Sequence, residues 1–387
     1  MQEIYFDNSA TTKVCPEAKQ AALMMMESGF GNASSLHGKG VQTARYLAEA
    51  RKTVAQILQV SAAEIFFTSG GSEGNNTALF GITAAHGKKG RKILFSDVEH
   101  PSVTEPIKRL EQLGFTAERV AVDQAGRLDL EDLRLKLSQD TILVSCQQVN
   151  NETGTVQPLT EIGALIKKFA PKAFFHIDGV QGFTKLSSDL RKWQADLYTG
   201  SGHKIHAPQG VGFLWVRSGV RLLPLVYGGG QEQGQRSGTE NMPGIMALAA
   251  AAQVADQQRE SRTDLMRQVR DTLWQELVSL LPEAVCHSDL AGESAPHILN
   301  VGFPGAKSEV LLHYLEEQQI YVSSGSACHS NKNTASPVLL AMGVQRELAD
   351  CSLRFSFCAE NTVTEAYRVA EATAEIVREV RSLTRSG

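Results

Sequence analysis

Phe174-Phe175-His176-Ile177-Asp178-Gly179-Val180-Gln181 and Leu197-Tyr198-Thr199-Gly200-Ser201-Gly202-His203-Lys204 are the two stretches on which the reading of this chain turns. In the first, an apolar, β-prone run ends on an acid and a glycine, the pattern of a strand whose carboxyl end carries a ligand-binding group. In the second, a short strand runs into Gly-Ser-Gly, where the backbone can turn sharply and approach a ligand, and then presents His203 and Lys204. Asp178 and Lys204 are therefore expected over one crevice at the edge of a sheet. The fold class this implies is α/β.

Working outward, Glu64-Ile65-Phe66-Phe67 reads as a strand, Thr68 to Gly74 as a glycine-rich turn, and the chain from there to about His86 as a helix. That order aims backbone N–H groups and the positive end of a helix dipole at a phosphate, so Gly71 and Ser72 are assigned to one. The turn lacks both the GxGxxG dinucleotide fingerprint and the GK[ST] of a P-loop, which disfavours nucleotides. Lys92 to Asp97 is a further strand. It delivers His100 to the same edge, where an imidazole could stack on a flat ligand and shuttle protons near neutral pH.

An acid and a lysine at two strand ends suit one cofactor. Pyridoxal phosphate requires a lysine amine to bond its aldehyde and a carboxylate to keep its pyridine nitrogen protonated, so that the ring draws electrons from a substrate carbanion. Taken singly, Asp178 reads equally as a cap and Lys204 as a solvated loop residue. His203 and His206 stand three apart, a spacing that can hold a metal, but no third ligand is at hand and none is expected.

The 387 residues and 42% hydrophobic content allow two or three domains and a large core. A formal charge of −4 gives no footprint for nucleic acid or an anionic membrane. The amino terminus lacks a basic segment followed by an apolar core, so a cytoplasmic protein is expected, and no apolar run reaches bilayer length. Six cysteines without a CxxC pair point to reduced thiols.

Two features remain in the C-terminal third. In the strand Ser352 to Phe357, Ser352, Arg354 and Ser356 share one face and Leu353, Phe355 and Phe357 the other, and an arginine fork there matches a carboxylate in two-pronged fashion. Ser323 to Thr334 is small and polar without apolar periodicity, a surface loop in which Cys328, beside His329 and near Lys332, ionises more readily than Cys146 in its strand. The alanine-rich helical stretch from Pro243 to about Leu281 reads as the link between a large domain, 15–256, and a small domain made of 1–14 and 257–387, with the cysteine loop at about 323–336.

HIDGVQ followed by SGHK, with DNSATT and SGGSEGNN upstream and RSGT, SSGSAC and RFSF downstream, resembles the cysteine desulfurases, the NifS/IscS-like, class V aminotransferase group of fold-type I pyridoxal phosphate enzymes. The resemblance implies a fold-type I architecture, a mostly parallel seven-stranded sheet flanked by helices plus a smaller α+β domain. It implies Lys204, His100 and a persulfide-forming Cys328 as catalytic groups. Gly71, Ser72, His100, Asn151, Asp178, Gln181, Ser201, His203, Lys204 and Thr239 would hold the cofactor, Asn151 and Gln181 at its phenolic oxygen. Thr239 would reach across a homodimer to the partner's phosphate, while Asn32 and Arg354 would hold the substrate carboxylate. L-Cysteine would yield L-alanine, with sulfur passed to a protein acceptor in iron–sulfur cluster assembly or tRNA thiolation. Where the family usually reads Gly-Ala-Thr-Glu-Ser, this chain has Gly71 and Ser72 for Ala and Thr; after Cys328 it has His329 and lacks the usual Glu-Pro, which leaves the acceptor open. A selenocysteine lyase and an ordinary transaminase remain alternatives on the same scaffold, the latter giving Cys328 no task.

Overall fold

The computed structural model describes residues 3–324 and 335–385. Its larger sheet has seven strands in the order Ile65–Thr68, Gly212–Val216, Leu197–Ser201, Phe174–Asp178, Thr141–Gln147, Lys92–Ser96 and Thr116–Val120. Gly212–Val216 runs antiparallel to both neighbours and the rest share one direction, so Thr68, Ser96, Gln147, Asp178 and Ser201 end on the same edge. Side-chain alternation feeds two cores. Val144, Cys146, Phe175 and Ile177 join helices on one face, whereas Leu143, Ile93, Phe95 and Leu197 pack on the other.

The helix Met242–Gln257 shows how the first core closes. Asn241 caps it by accepting from the Gly244 N–H at 3.2 Å, and Pro243 opens it without losing a bond. Ile245, Leu248, Ala251 and Ala252 are buried, and the helix packs on Pro16–Glu27 and Gly38–Ile57. Each fully buried Ile or Leu contributes about 1.5–3 kcal/mol. The single long helical stretch expected from Pro243 to Leu281 is instead two helices, Met242–Gln257 and Arg259–Leu280. Gln258 joins them, its N–H turned back to Asp256 and Val254, and the chain leaves the first core there for another.

That other core lies under a four-stranded sheet, ordered Ser323–Ser324, Ser352–Ser356, Ile298–Gly302 and Val285–Cys286. Leu353 and Phe355 pack with Leu299, Val301, Leu273 and Leu277, and with Val369 and Val377 of the last helix. Ile4–Tyr5 pairs in parallel with Ile320–Tyr321, and Asp7 bridges to Ser356. The N-terminal segment is thereby laid across the carboxyl edge of the larger sheet. Among the described residues no helix is long and apolar enough to cross a membrane.

Candidate active site

At the carboxyl edge of the larger sheet lies a cavity of about 320 Å³, lined by Gly71, Ser72, His100, Asn151, Asp178, Gln181, Ser201, His203, Lys204 and Arg354, with Ser9, Ala10, Ser102, Gln147, Val149 and Val180. It is of the size that holds a small cofactor. A wider depression, about 530 Å³, opens at the opposite edge of the sheet. There Arg217 pairs with Asp196 at 2.5 Å, and Trp215 Nε1 donates to Glu64 at 3.2 Å.

Asp178 is 6% exposed, and both its oxygens are aimed. Oδ2 accepts from Asn75 Nδ2 at 2.7 Å and Oδ1 from the Val180 N–H at 3.0 Å. The turn behind it admits only glycine at 179, since a Cβ there would meet the Tyr198 ring at 1.9 Å. Asn75 also donates to Ser102 Oγ at 2.9 Å, and Ser102 Oγ lies 2.8 Å from His100 Nδ1, so one network joins His100 to Asp178. His100 caps the helix Pro101–Gln112, its ring accepting from the Ser102 N–H. Beneath Asp178, His176 is clamped between Ser145 Oγ at 2.9 Å and Thr199 Oγ1 at 3.1 Å. Burial pushes its pKa down to about 4, against the opposing pull of Asp178, so the imidazole is neutral. A second acid, Glu99, accepts from the Gln147 N–H at 2.7 Å. Burial, then the charge of Asp178, holds its pKa well above the usual carboxylate range.

Lys204 ends the short turn Gly202–Lys204 and donates to the carbonyls of Ser9 and Ala10, each at 2.6 Å. Gln181 Nε2 also donates to the Ser9 carbonyl, at 3.0 Å. The same N-terminal segment reaches Arg354, whose Nη2 meets Asp7 Oδ1 at 2.7 Å while Nη1 donates to the Asn151 carbonyl at 3.1 Å. Arg354 Nε is buried with no partner among the described residues.

The start of the helix Gly71–His86 faces Ser201. Gly70 holds φ 152°, a conformation that L side chains rarely adopt, and Ser201 Oγ is buried without a partner among the described residues. Beside them, burial, then Lys204 and Lys185, pushes the His203 pKa down to about 4. Backbone N–H groups at a helix start, an orphaned hydroxyl and a neutral imidazole make a donor set that fits a phosphate, and an aimed carboxylate opposite a lysine fits a protonated pyridine ring with an aldehyde. By this test the residues fit pyridoxal phosphate.

Of three further expected site residues, two stand outside the cavity and one is not among the described residues. Asn32 is exposed, its Oδ1 taken by the Ser34 N–H at 2.9 Å; Thr239 is exposed and absent from the cavity lining; Cys328 lies outside the described residues. Conversely, Asn75, Ser102, Asp7 and the carbonyls of Ser9 and Ala10 help build the site without having been assigned to it from the sequence. DNSATT was the one available signal for the last three. His206, for which the sequence offered no third ligand, has Cys358 and Glu360 beside it.

An α/β chain with a lysine and an acid lining one cavity at the carboxyl edge of a mostly parallel sheet is the class that this geometry defines. Residues 4–369 match the model of the aminotransferase class-V family, and the chain belongs to that family. A protein described as "Cysteine desulfurase" from Nostoc sp. is 41% identical over 384 residues, 99% of this chain and 95% of the relative. A solved structure titled "NIFS-LIKE PROTEIN" covers 100% of both chains at 34% identity and TM-score 0.89. Another, "SspA in complex with cysteine", covers 92% of this chain and 99% of the other at 29% identity and TM-score 0.80.

Proposed function

We propose that this chain is a pyridoxal phosphate-dependent cysteine desulfurase, which converts L-cysteine to L-alanine and passes the sulfur through a Cys328 persulfide to a protein acceptor in iron–sulfur cluster assembly or tRNA thiolation. The observation that carries the reading is the meeting of Asp178, Lys204 and Arg354 in one cavity. The descriptions of the relatives support it. When bound there, the cofactor supplies an aldehyde for the Lys204 amine and a ring that accepts electrons from the substrate Cα.

Asp178, fixed by Asn75 and Val180, is the acceptor for the pyridine N–H, and burial, then the charge of Asp178, disfavours a second negative charge on nearby Glu99. Gly71, Ser72, Ser201 and the neutral His203 hold the phosphate. Asn151 and Gln181 donate to the phenolic oxygen, since an amide donates without adding charge. The Arg354 fork, whose Nε has no partner among the described residues, binds the substrate carboxylate, whereas Asn32 lies outside the cavity. Lys204, poised on two carbonyls, takes the Cα proton once it is released, and His100 stands ready to relay protons at the ring face. The Cys328 thiolate attacks the substrate sulfur, the Cβ–S bond breaks, and the carbon skeleton leaves as alanine after protonation.

A large domain of 15–256 and a small domain of 1–14 and 257–387 carry the two walls of the site. The active form is a homodimer, in which Thr239 reaches the partner's phosphate. Exposed Leu23, Met26, Phe30 and Leu36, with Leu225 to Tyr227, supply apolar surface for that contact. The protein acts in the cytoplasm. The test is to add L-cysteine to the purified holoenzyme and follow the visible spectrum, alanine, and the mass of the Cys328 peptide. A spectral change, alanine and one added sulfur are expected, whereas alanine without added sulfur on that peptide would sink the assignment of Cys328.

A further inference from the structure

Lys204 also borders a second, smaller cavity of about 30 Å³, lined among others by Thr12, Lys185, His206, Arg262 and Cys358. At its rim, we propose that His206, Cys358 and Glu360 bind one divalent ion of the zinc type. The three residues place a ring nitrogen, a sulfur and a carboxylate oxygen within 4.8 Å of one another. Cys358 Sγ stands 3.3 Å from Glu360 Oε2, and His206 Nδ1 3.9 Å from the same oxygen. Ligand atoms about 2.0–2.3 Å from a tetrahedral zinc ion lie roughly 3.3–3.7 Å from each other, so the cluster needs only a small closure.

The donors are prepared for that task. His206 and Cys358 are each 8% exposed. The His206 backbone sits at φ 69°, uncommon for a side-chain-bearing residue, and is held there by its N–H on Thr12 Oγ1 at 2.8 Å. Its Nδ1 lies 2.9 Å from the Lys13 carbonyl, a contact that orients the ring and that the ion displaces on binding this nitrogen. A thiol binds a metal as thiolate, so the ion must displace the Cys358 proton. The S–H bond breaks, the proton leaves to solvent, and sulfur bonds the ion with no change of oxidation state.

The surrounding charge decides between a cation and an anion. Lys185, Lys204, Arg259 and Arg262 line the cavity, and alone they favour an anion. A thiolate and a carboxylate add two negative charges, which a divalent ion balances. Lys185 is itself pushed down to about 7, by burial first and then by Lys204, and so carries only part of its charge near neutrality. The cavity has room for about one water, which suits the fourth position of a tetrahedral ion and is too small for an amino acid. His206 follows the Lys204 turn, and Cys358 and Glu360 follow the strand that carries Arg354. The ion would therefore tie the two walls of the active site together.

The test uses the Cys328→Ser holoenzyme, so that this thiol does not compete, titrated with Co2+ and then Zn2+. One equivalent of Co2+ should give a thiolate-to-metal charge-transfer band that Zn2+ abolishes and that is missing in Cys328→Ser/Cys358→Ser. Glu360, whose side chain is 60% exposed, can be changed to Gln with little risk to folding. That variant should bind Zn2+ at least about tenfold more weakly and lose most of the Zn2+-induced rise in melting temperature. No band, a band that persists without Cys358, or an equal Zn2+ shift in Glu360→Gln would overturn the site.

Discussion

The two walls of the cavity are built on different principles. The wall from the larger sheet comes from adjacent strand ends and one helix start, and Asp178 and Lys204 there are held by partners within hydrogen-bonding distance. The opposite wall is gathered from distant segments: Asp7, the turn at Asn151, and Arg354 on the smaller sheet. Asn32 and Thr239 do not reach the cavity. The difference separates two tasks. On the proposed function, the sheet wall serves the cofactor, whereas the substrate carboxylate falls to parts whose placement depends on contacts far apart in sequence.

The comparison breaks first at Lys204. Lys204→Ala should lower kcat for alanine release by roughly 10²–10⁴-fold or more, and an unchanged kcat would remove the lysine from the chemistry. A second strain falls on the opposite wall, at Glu152, which is buried beside Asn151 and accepts from Ser336 Oγ. Burial raises its pKa from 4.5 to about 7, while Ser336 and Arg354 act to lower it. The folded protein holds a proton there that the unfolded chain releases between those two values, so the native protein loses stability relative to Glu152→Gln as pH rises through that window. The difference should change by about 2 kcal/mol between pH 5 and pH 7, read from unfolding midpoints at those two values. Equal pH slopes would show that Glu152 is ionised in the fold.

Arg354→Lys keeps the charge but loses the fork, and should raise KM for L-cysteine about 10–100-fold with a smaller change in kcat. A loss in kcat alone would mean that Arg354 supports the wall rather than the substrate. The smallest effect belongs to the larger-sheet wall. Ser201→Ala removes one hydroxyl donor among several and should weaken cofactor retention by about 3–10-fold, measured by dialysis against the apoprotein. A loss as large as that from Lys204→Ala would make the phosphate cradle far less redundant than its donor set suggests.

The sheet wall was legible because a strand's end is marked by its neighbours: an apolar run stopping at Asp178-Gly179, and Gly-Ser-Gly before His203-Lys204. The helix start at Gly71 was equally visible, since strand, glycine turn and helix are local signals. What escaped is non-local or carries no residue signature. The carbonyls of Ser9 and Ala10 that hold Lys204 could belong to any residue, and Asn75 reaches Asp178 only because the helix Gly71–His86 crosses that strand end. The break at Gln258 was hidden by unbroken helix-forming composition on both sides, and tertiary packing set it. Glu99 and His176 read as ordinary strand-edge residues until burial shifts their protonation.

The central claim is that one particular amine bonds the cofactor aldehyde. Borohydride reduction of the holoenzyme followed by peptide mass mapping tests it directly, because Lys185 stands close by with its own pKa pushed down to about 7. A pyridoxyl group on the Lys204 peptide is the expected result. The same group on Lys185, or on no lysine at all, would contradict the account.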